Sequence, residues 1–345
     1  VLLSWQENYL GKHFPNSNGI GTASEEPIRG CIVYTANPVD KRKGEIMKVL
    51  VFGSLNIDYN YSVDHFVQKG ETLSSSALSV FSGGKGLNQA IALAKAGVEV
   101  YQAGCIGEDG KFLVDILEEA GVQTQYIDVR RDVRTGNAVI QNDKEGDNCI
   151  LLYGGANQAI SKVYIDAVLA DFTAGDYIIL QNEINEMAYI IKQAKEKGMI
   201  IVLNPSPMDE KIHGYPLDSV TYLMLNEVEA AQLLGHDEAD EVDADAIAEE
   251  LHQQFPQMKI VLTLGSSGSV YKDAKQLVKQ KCYQVKTVDT TAAGDTYTGY
   301  FFASLMRELP VQEAMDVASR AAAVAVGTKG AATSIPYLAD LEKKR

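Results

Sequence analysis

From Met47 onward the chain alternates short apolar runs with stretches of helical length, and this alternation constrains the fold more than any other feature. The first run is Val49-Leu-Val-Phe52, a buried strand that ends in the turn Gly53-Ser54. Further strands are expected at 98–105, 177–181, 200–204, 222–226 and 259–264. Helices are expected near 109–120, 160–169, 185–197, 227–234, 243–254, 294–307 and 311–326. Strands joined by helical crossovers run parallel, and a parallel sheet needs helices over both faces. An apolar content of 46% supplies a sizeable core for such an α/β body. Residues 59–81 and 134–153 break the alternation with short stretches and turn residues. They are expected to build a separate small β-sheet, a natural lid.

Residues 1–46 read differently, with Asn-Ser-Asn-Gly and Ala-Asn-Pro but no sustained period. Lys43-Gly-Glu45 before Met47 is encodable as a purine-rich ribosome-binding sequence. The segment is therefore expected to be a non-native or disordered extension, and the domain to span 47–345. The net charge of −15 argues against a nucleic-acid or anionic-membrane partner. No apolar run approaches a membrane span. The four cysteines (Cys31, Cys105, Cys149, Cys282) are far apart and are expected to be reduced thiols, three of them in apolar strand-like contexts. The five histidines show no zinc-type spacing. A cytoplasmic protein fits these features.

Chemistry-bearing residues gather where strands end. Asn56 and Asp58 are two apart, so an extended chain points both to one face, where an amide and a carboxylate suit a vicinal diol. An Asx turn is the plainer explanation. Ser82-Gly-Gly-Lys-Gly-Leu-Asn-Gln89 opens a helix with Lys85 and Asn88 one turn apart, but it is not a Walker A loop. Close helix–strand packing explains its glycines equally well. Gln181-Asn-Glu183, Asn204-Pro205, Asn226 with Glu229, and Thr263-Leu-Gly-Ser-Ser-Gly268 close four more strands. Ligands of open α/β sheets bind beyond those carboxyl ends. Val288-Asp-Thr-Thr-Ala-Ala-Gly-Asp-Thr296 follows a strand-like run (Tyr283, Val285, Val288) and opens a helix. Its small residues let N–H groups converge on an anion, and Asp295 stands among them. A capping Asp would do no more than close the helix. A base facing a hydroxyl that receives a phosphoryl group gives the same residue a purpose.

In this order and spacing, these motifs resemble the ribokinase family of carbohydrate kinases, within the phosphofructokinase-B superfamily. Gly155-Ala-Asn157, Asn204-Pro-Ser-Pro207 and Lys329-Gly-Ala331 add to the match, which covers roughly 47–340. It lies nearer the ribose members than the fructose or adenosine members. The resemblance implies a three-layer fold with a mostly parallel central sheet and a small β-sheet lid. It also implies ATP-dependent phosphorylation of D-ribose at the primary hydroxyl. Asp295 would be the base, and Ala292, Ala293 and Gly294 the anion hole. Asn56, Asp58, Gly84, Lys85, Asn88 and Glu183 would hold the sugar. Asn226, Thr263, Gly265 and Gly268 would line the ATP site, with Glu229 helping to organise Mg²⁺. Asp289, Thr291, Ala325, Thr328, Gly330 and Ser334 match positions that bind a monovalent cation, K⁺. A homodimer formed through the lid sheets is implied as well. Tyr297 replaces the usual Phe and Thr328 a frequent Arg. Leu87 stands where Ala is common and is expected to narrow the sugar pocket. The alternatives are a kinase for deoxyribose or another small sugar, and a non-catalytic sugar sensor.

Overall fold

The computed structural model describes residues 41–42, 45–236 and 243–342. Most of the expected extension, and the acid-rich residues 237–242, lie outside them. A short antiparallel pair, β1 (Lys41–Arg42) and β2 (Glu45–Ile46), comes first. Then follow β3 (Val49–Phe52), β4 (Asn56–Ser62), β5 (Ala77–Gly83), α1 (Lys85–Lys95), β6 (Val100–Gly107), α2 (Lys111–Glu119) and β7 (Gln123–Arg130). The middle of the chain holds β8 (Gly136–Asn142), β9 (Asn148–Tyr153), α3 (Lys162–Leu169), β10 (Tyr177–Gln181), α4 (Met187–Glu196) and β11 (Ile200–Asn204). Next come β12 (Tyr222–Asn226), α5 (Glu227–Leu234), α6 (Ala244–Gln254), β13 (Lys259–Thr263), β14 (Ser269–Lys272) and β15 (Leu277–Gln280). The last helices are α7 (Ala293–Met306), α8 (Val311–Val326) and α9 (Leu338–Glu342).

Nine strands form the main sheet in the order β15-β14-β13-β12-β11-β10-β3-β6-β7. All pairs from β13 to β7 are parallel, and β14 and β15 add an antiparallel edge. Side chains alternate across it. Val49 and Val51 of β3 join one apolar cluster with α1, α7 and α8, whereas Leu50 and Phe52 join another with α3 to α6. Both clusters are fully buried, which explains why the central strands are apolar throughout. The strand order reverses between β3 and β10, so the chain leaving β3 and the chain leaving β10 diverge from one crevice. That crevice holds Ser54 and Glu183.

A second sheet has the order β5-β4-β8-β9. Its middle pair is parallel and its outer pairs antiparallel. Leu78 and Val80 of β5, and Ile150, Leu151 and Leu152 of β9, are half exposed or more. Helices α1 and α7 pack directly on each other. A Cβ added to Gly299 would lie 2.4 Å from the Cβ of Ala92, so the glycine permits this close approach.

Several expectations need correction. The run Tyr283, Val285, Val288 is not a strand; these side chains are 41%, 45% and 54% exposed. The edge strand is β15, a few residues earlier; beyond it the chain forms no strand, and Val288 N and Asp289 N donate to Val326 O at 2.9 and 3.1 Å. The sequence predicts no strand at β7, β14 or β15; β7 and β15 are edge strands of mixed polarity, and β14 is a buried four-residue strand too short to stand out. The strand expected at 98–105 is shifted to Val100–Gly107. Cys105 is buried, but Cys149 is exposed on β9 and Cys282 is half-buried. Leu87 is fully buried in the α1–α7 core, so it packs against apolar side chains and does not narrow a sugar pocket.

Candidate active site

The start of α7 is built differently from an ordinary helix cap. Ala292 has φ 61°, in the left-handed region, and no side chain caps the helix. The turn is held by backbone bonds, Ala293 N to Thr290 O at 3.2 Å and Thr296 N to Ala292 O at 2.8 Å, and by the Thr296 hydroxyl, which donates to Ala292 O at 2.7 Å. A methyl group on Gly294 would meet nothing within 4 Å, so open space lies in front of this turn. The backbone N–H groups at such a helix start attract an anion.

Two cavities meet here. One, of about 540 Å³, is lined by Asn226, Thr263, Gly265, Gly268, Tyr283, Val285, Tyr297 and residues of α8. The other, of about 240 Å³, is lined by Lys85, Asn204, Ser206, Asn226, Glu229, Asp295 and Thr298. Both also touch Thr290, Ala293 and Gly294, so the α7 start is their common wall. The larger has an apolar side suited to a planar base, and Tyr283, Val285 and Thr287 of the chain after β15 line it. Gly265 and Gly268 have φ of 51° and 107°. A Cβ at Gly268 would fall 2.1 Å from Gln280 O, so only glycine fits.

Asp295 is 7% exposed. Its Oδ2 accepts from Asn88 Nδ2 at 3.0 Å and its Oδ1 from Gln89 Nε2 at 2.9 Å. Asn88, expected on the sugar, therefore touches the carboxylate first. Asn56 and Asp58 lie on β4. Asn157 Nδ2 donates to Asn56 Oδ1 at 2.7 Å, and Leu55 N donates to Asn157 Oδ1 at 3.0 Å, which fixes the start of β4. Burial, then the neighbouring Glu183 carboxylate, pushes the Asp58 carboxyl up to about 7. Glu183 accepts from Lys85 N at 3.0 Å and from Ser54 Oγ. Burial pulls the Lys85 ammonium down, but the carboxylates of Asp295, Glu183 and Glu229 outweigh it and hold it above its usual value. Gly84 has φ 93°, and a Cβ there would press to 2.8 Å from Ser54 O. Thus Lys85 and Asp295 line the smaller cavity. Asn88 and Glu183 adjoin it by hydrogen bonds, and Asn56 and Asp58 stand on the small sheet.

Asn226 and Glu229 form a capping box on α5. Asn226 Oδ1 accepts from Glu229 N at 2.8 Å, and Glu229 Oε2 accepts from Asn226 N at 3.1 Å. Thr263 Oγ1 donates to Leu225 O at 3.4 Å. Asp289 Oδ1 takes the N–H of Thr291 at 2.9 Å, and Oδ2 that of Gly330 at 3.0 Å. Burial would raise the Asp289 carboxyl. Hydrogen bonds from Thr291 and Gly330 and the charge of Lys329 outweigh this and hold it below its usual value. Thr328 N donates to Ala325 O at 2.9 Å, and Ser334 Oγ to Ala331 O at 2.8 Å. The loop after α8 is thereby drawn against the turn before α7. The sequence reading gave no site role to Ser54, Gln89, Asn157 or Gln181. All four sit inside or beside the quoted motifs, and burial of a polar side chain is the signal that finds them.

Known proteins carry the same architecture. The profile of pfkB family carbohydrate kinases matches residues 47–338. Ribokinase of Haemophilus influenzae is 35% identical over 292 residues, covering 83% of this chain and 94% of that relative. The crystal structure of ribokinase from Cryptococcus neoformans var. grubii serotype A in complex with ADP has a TM-score of 0.78 at 33% identity. It spans 87% of this chain and all (100%) of that one. Arabidopsis thaliana ribokinase complexed with ribose and ATP gives 0.77 at 29% identity, over 86% and 98%. A helix start left open between two cavities, on this sheet and with these relatives, leads to one assignment: the chain belongs to the pfkB family of carbohydrate kinases, in its ribokinase group.

Proposed function

We propose that this protein transfers the γ-phosphoryl group of ATP to the primary hydroxyl of D-ribose, giving ribose 5-phosphate. The observation that carries this reading is the common wall. A buried carboxylate and an uncapped helix start stand where a nucleotide-sized cavity meets a small polar one. ATP lies in the larger cavity along Asn226, Thr263, Gly265 and Gly268. The sugar lies on the other side, held by Asn56, Asp58, Gly84, Lys85, Asn88 and Glu183. Asp295 accepts the hydroxyl proton as the bond to phosphorus forms. The N–H groups of the Ala292–Gly294 turn take up charge on the transferring group, and Lys85 adds a positive charge beside it. The small sheet closes over the sugar and keeps competing water out.

Among the described residues no group of three or more His, Cys, Asp or Glu side chains is placed to hold a metal ion. That suits Mg²⁺ carried by nucleotide phosphates, with Glu229 and Asn226 nearby, and not a protein cage. Mg²⁺, when bound, neutralises phosphate charge. Asp289, Thr291, Ala325, Thr328, Gly330 and Ser334 would hold K⁺. The fit rests on a carboxylate kept ionised by N–H groups beside a carbonyl-rich loop. Asp289 ties that loop to the α7 turn, so an ion there would steady the anion hole. Two copies meet through the half-exposed apolar strands β5 and β9, in the cytoplasm.

A coupled ADP-release assay over ribose, 2-deoxyribose, fructose and adenosine, in K⁺ or Na⁺, tests the reading. Ribose should exceed 2-deoxyribose by about 10-fold or more in kcat/KM, because groups built for the missing hydroxyl lose their partner. Rates should be higher in K⁺. A preference for fructose or adenosine would overturn the ribose assignment.

A further inference from the structure

Behind Asp295 lies a line of two buried amides. A carboxylate only accepts, so Gln89 must present Nε2 to Asp295 Oδ1, as the 2.9 Å contact has it. Its Oε1 then faces the other way and accepts from Gln181 Nε2 at 2.7 Å. The direction of both amides is thus set by the carboxylate at the end of the line. Gln89 and Gln181 are both fully buried. Gln89 stands on α1, Gln181 at the carboxyl end of β10, and Asp295 on α7, so the line joins three elements. Gln181 Oε1 has no partner among the described residues. A buried polar atom left without a partner lowers stability, and apolar side chains of the same volume would avoid that cost. Packing alone therefore does not account for the pair.

We infer that Gln89, oriented by Gln181, is a positioning residue for the phosphoryl-transfer step. Together with Asn88 on Oδ2, it fixes the rotation of the Asp295 carboxylate so that its remaining lone pairs face the incoming hydroxyl. Gln181 touches neither substrate nor base; it acts only by holding Gln89. The inference rests on the reading of Asp295 as the base.

The test is a double-mutant cycle with steady-state kinetics on ribose and ATP. Gln89→Met keeps the volume and loses the donor, and kcat should fall about 10- to 100-fold with the ribose KM within about 2-fold. Gln181→Met should lower kcat about 3- to 10-fold. The double variant should match Gln89→Met alone, because Gln181 has no separate route to the base. Each single variant leaves a buried polar group unpartnered, so its melting temperature should fall modestly, while binding of a non-hydrolysable ATP analogue should stay at its wild-type value, which a general packing defect would not allow. If a methionine variant is insoluble, Gln89→Leu or Gln181→Leu takes its place in the cycle. A wild-type kcat for either single variant overturns the inference. So do multiplying effects in the double variant, or a loss that appears in KM. Asp295→Asn, assayed alongside, separates the two readings. If it turns over normally, the base assignment fails and the relay with it. If it collapses while Gln89→Met turns over normally, only the relay fails.

Discussion

Helices α5 and α7 both begin on the smaller cavity, and their first turns are opposites. The α5 start is closed by its own side chains, with Asn226 and Glu229 answering each other's backbone N–H. The α7 start has alanine at the cap, in a left-handed conformation, and no side-chain acceptor. One turn is closed by side chains of its own; the other is left without a side-chain cap beside two cavities. The contrast shows why Ala292, Ala293 and Gly294 matter although they carry no functional side chain. In the proposed mechanism their contribution is that no side chain caps this turn. It also gives Asn226 and Glu229 a double task, since the atoms facing the cavity belong to a cap that stabilises α5.

The contrast breaks most readily at Asp295. Asp295→Asn retains the shape but cannot take a proton, and kcat should fall by about 100-fold or more with little change in ribose affinity. A purified variant with near-normal kcat would leave the open helix start without its partner base. Gly294→Ala probes the turn itself. Its methyl meets open space in the protein and intrudes on both cavities, so kcat should drop about 10-fold. The melting temperature should hold or rise, as alanine favours a helix by about 0.5–1 kcal/mol over glycine. A lower melting temperature with unchanged kcat would show that the glycine serves folding instead. At α5 the expected balance is reversed. Asn226→Ala should cost about 1 kcal/mol of stability in denaturant unfolding, whereas Glu229→Gln keeps the acceptor and should cost only a few tenths. Equal stability of Asn226→Ala and wild type would mean that the box does not hold that helix.

The strands that were plain in the sequence are those buried on both faces. Tyr177–Gln181, Ile200–Asn204 and Tyr222–Asn226 stand where the apolar runs put them. Each is an unbroken apolar run followed by polar residues, because a parallel strand in mid-sheet must be buried until it reaches the cavity. Edges obey no such rule. Gln123–Arg130 mixes polar and apolar residues, and Leu277–Gln280 is too short to stand out. Conversely, the run at Tyr283 and Val285 reads as strand-like because these apolar side chains line a cavity and not a sheet. The residues that line the two cavities were legible where a motif clusters them, as at Asn226 with Glu229 and Ala292 to Asp295. The contact of Asn88 and Gln89 with Asp295 was not, since it spans more than 200 positions and depends on how two helices cross.

That crossing has a consequence for how defects in this protein will look. Ala92 lies one turn beyond Asn88 on α1, and Gly299 one turn beyond Asp295 on α7. Where Gly299 lets the helices touch, it also sets the gap between Asp295 and its two amide partners. A single added methyl group there would pry the helices apart, and a few tenths of an ångström would reach the carboxylate with nothing in between to absorb them. Substitutions at such interior positions would then leave a folded protein that turns over slowly. In a screen for lost activity they would be mistaken for substrate contacts, although they never meet the sugar or the nucleotide.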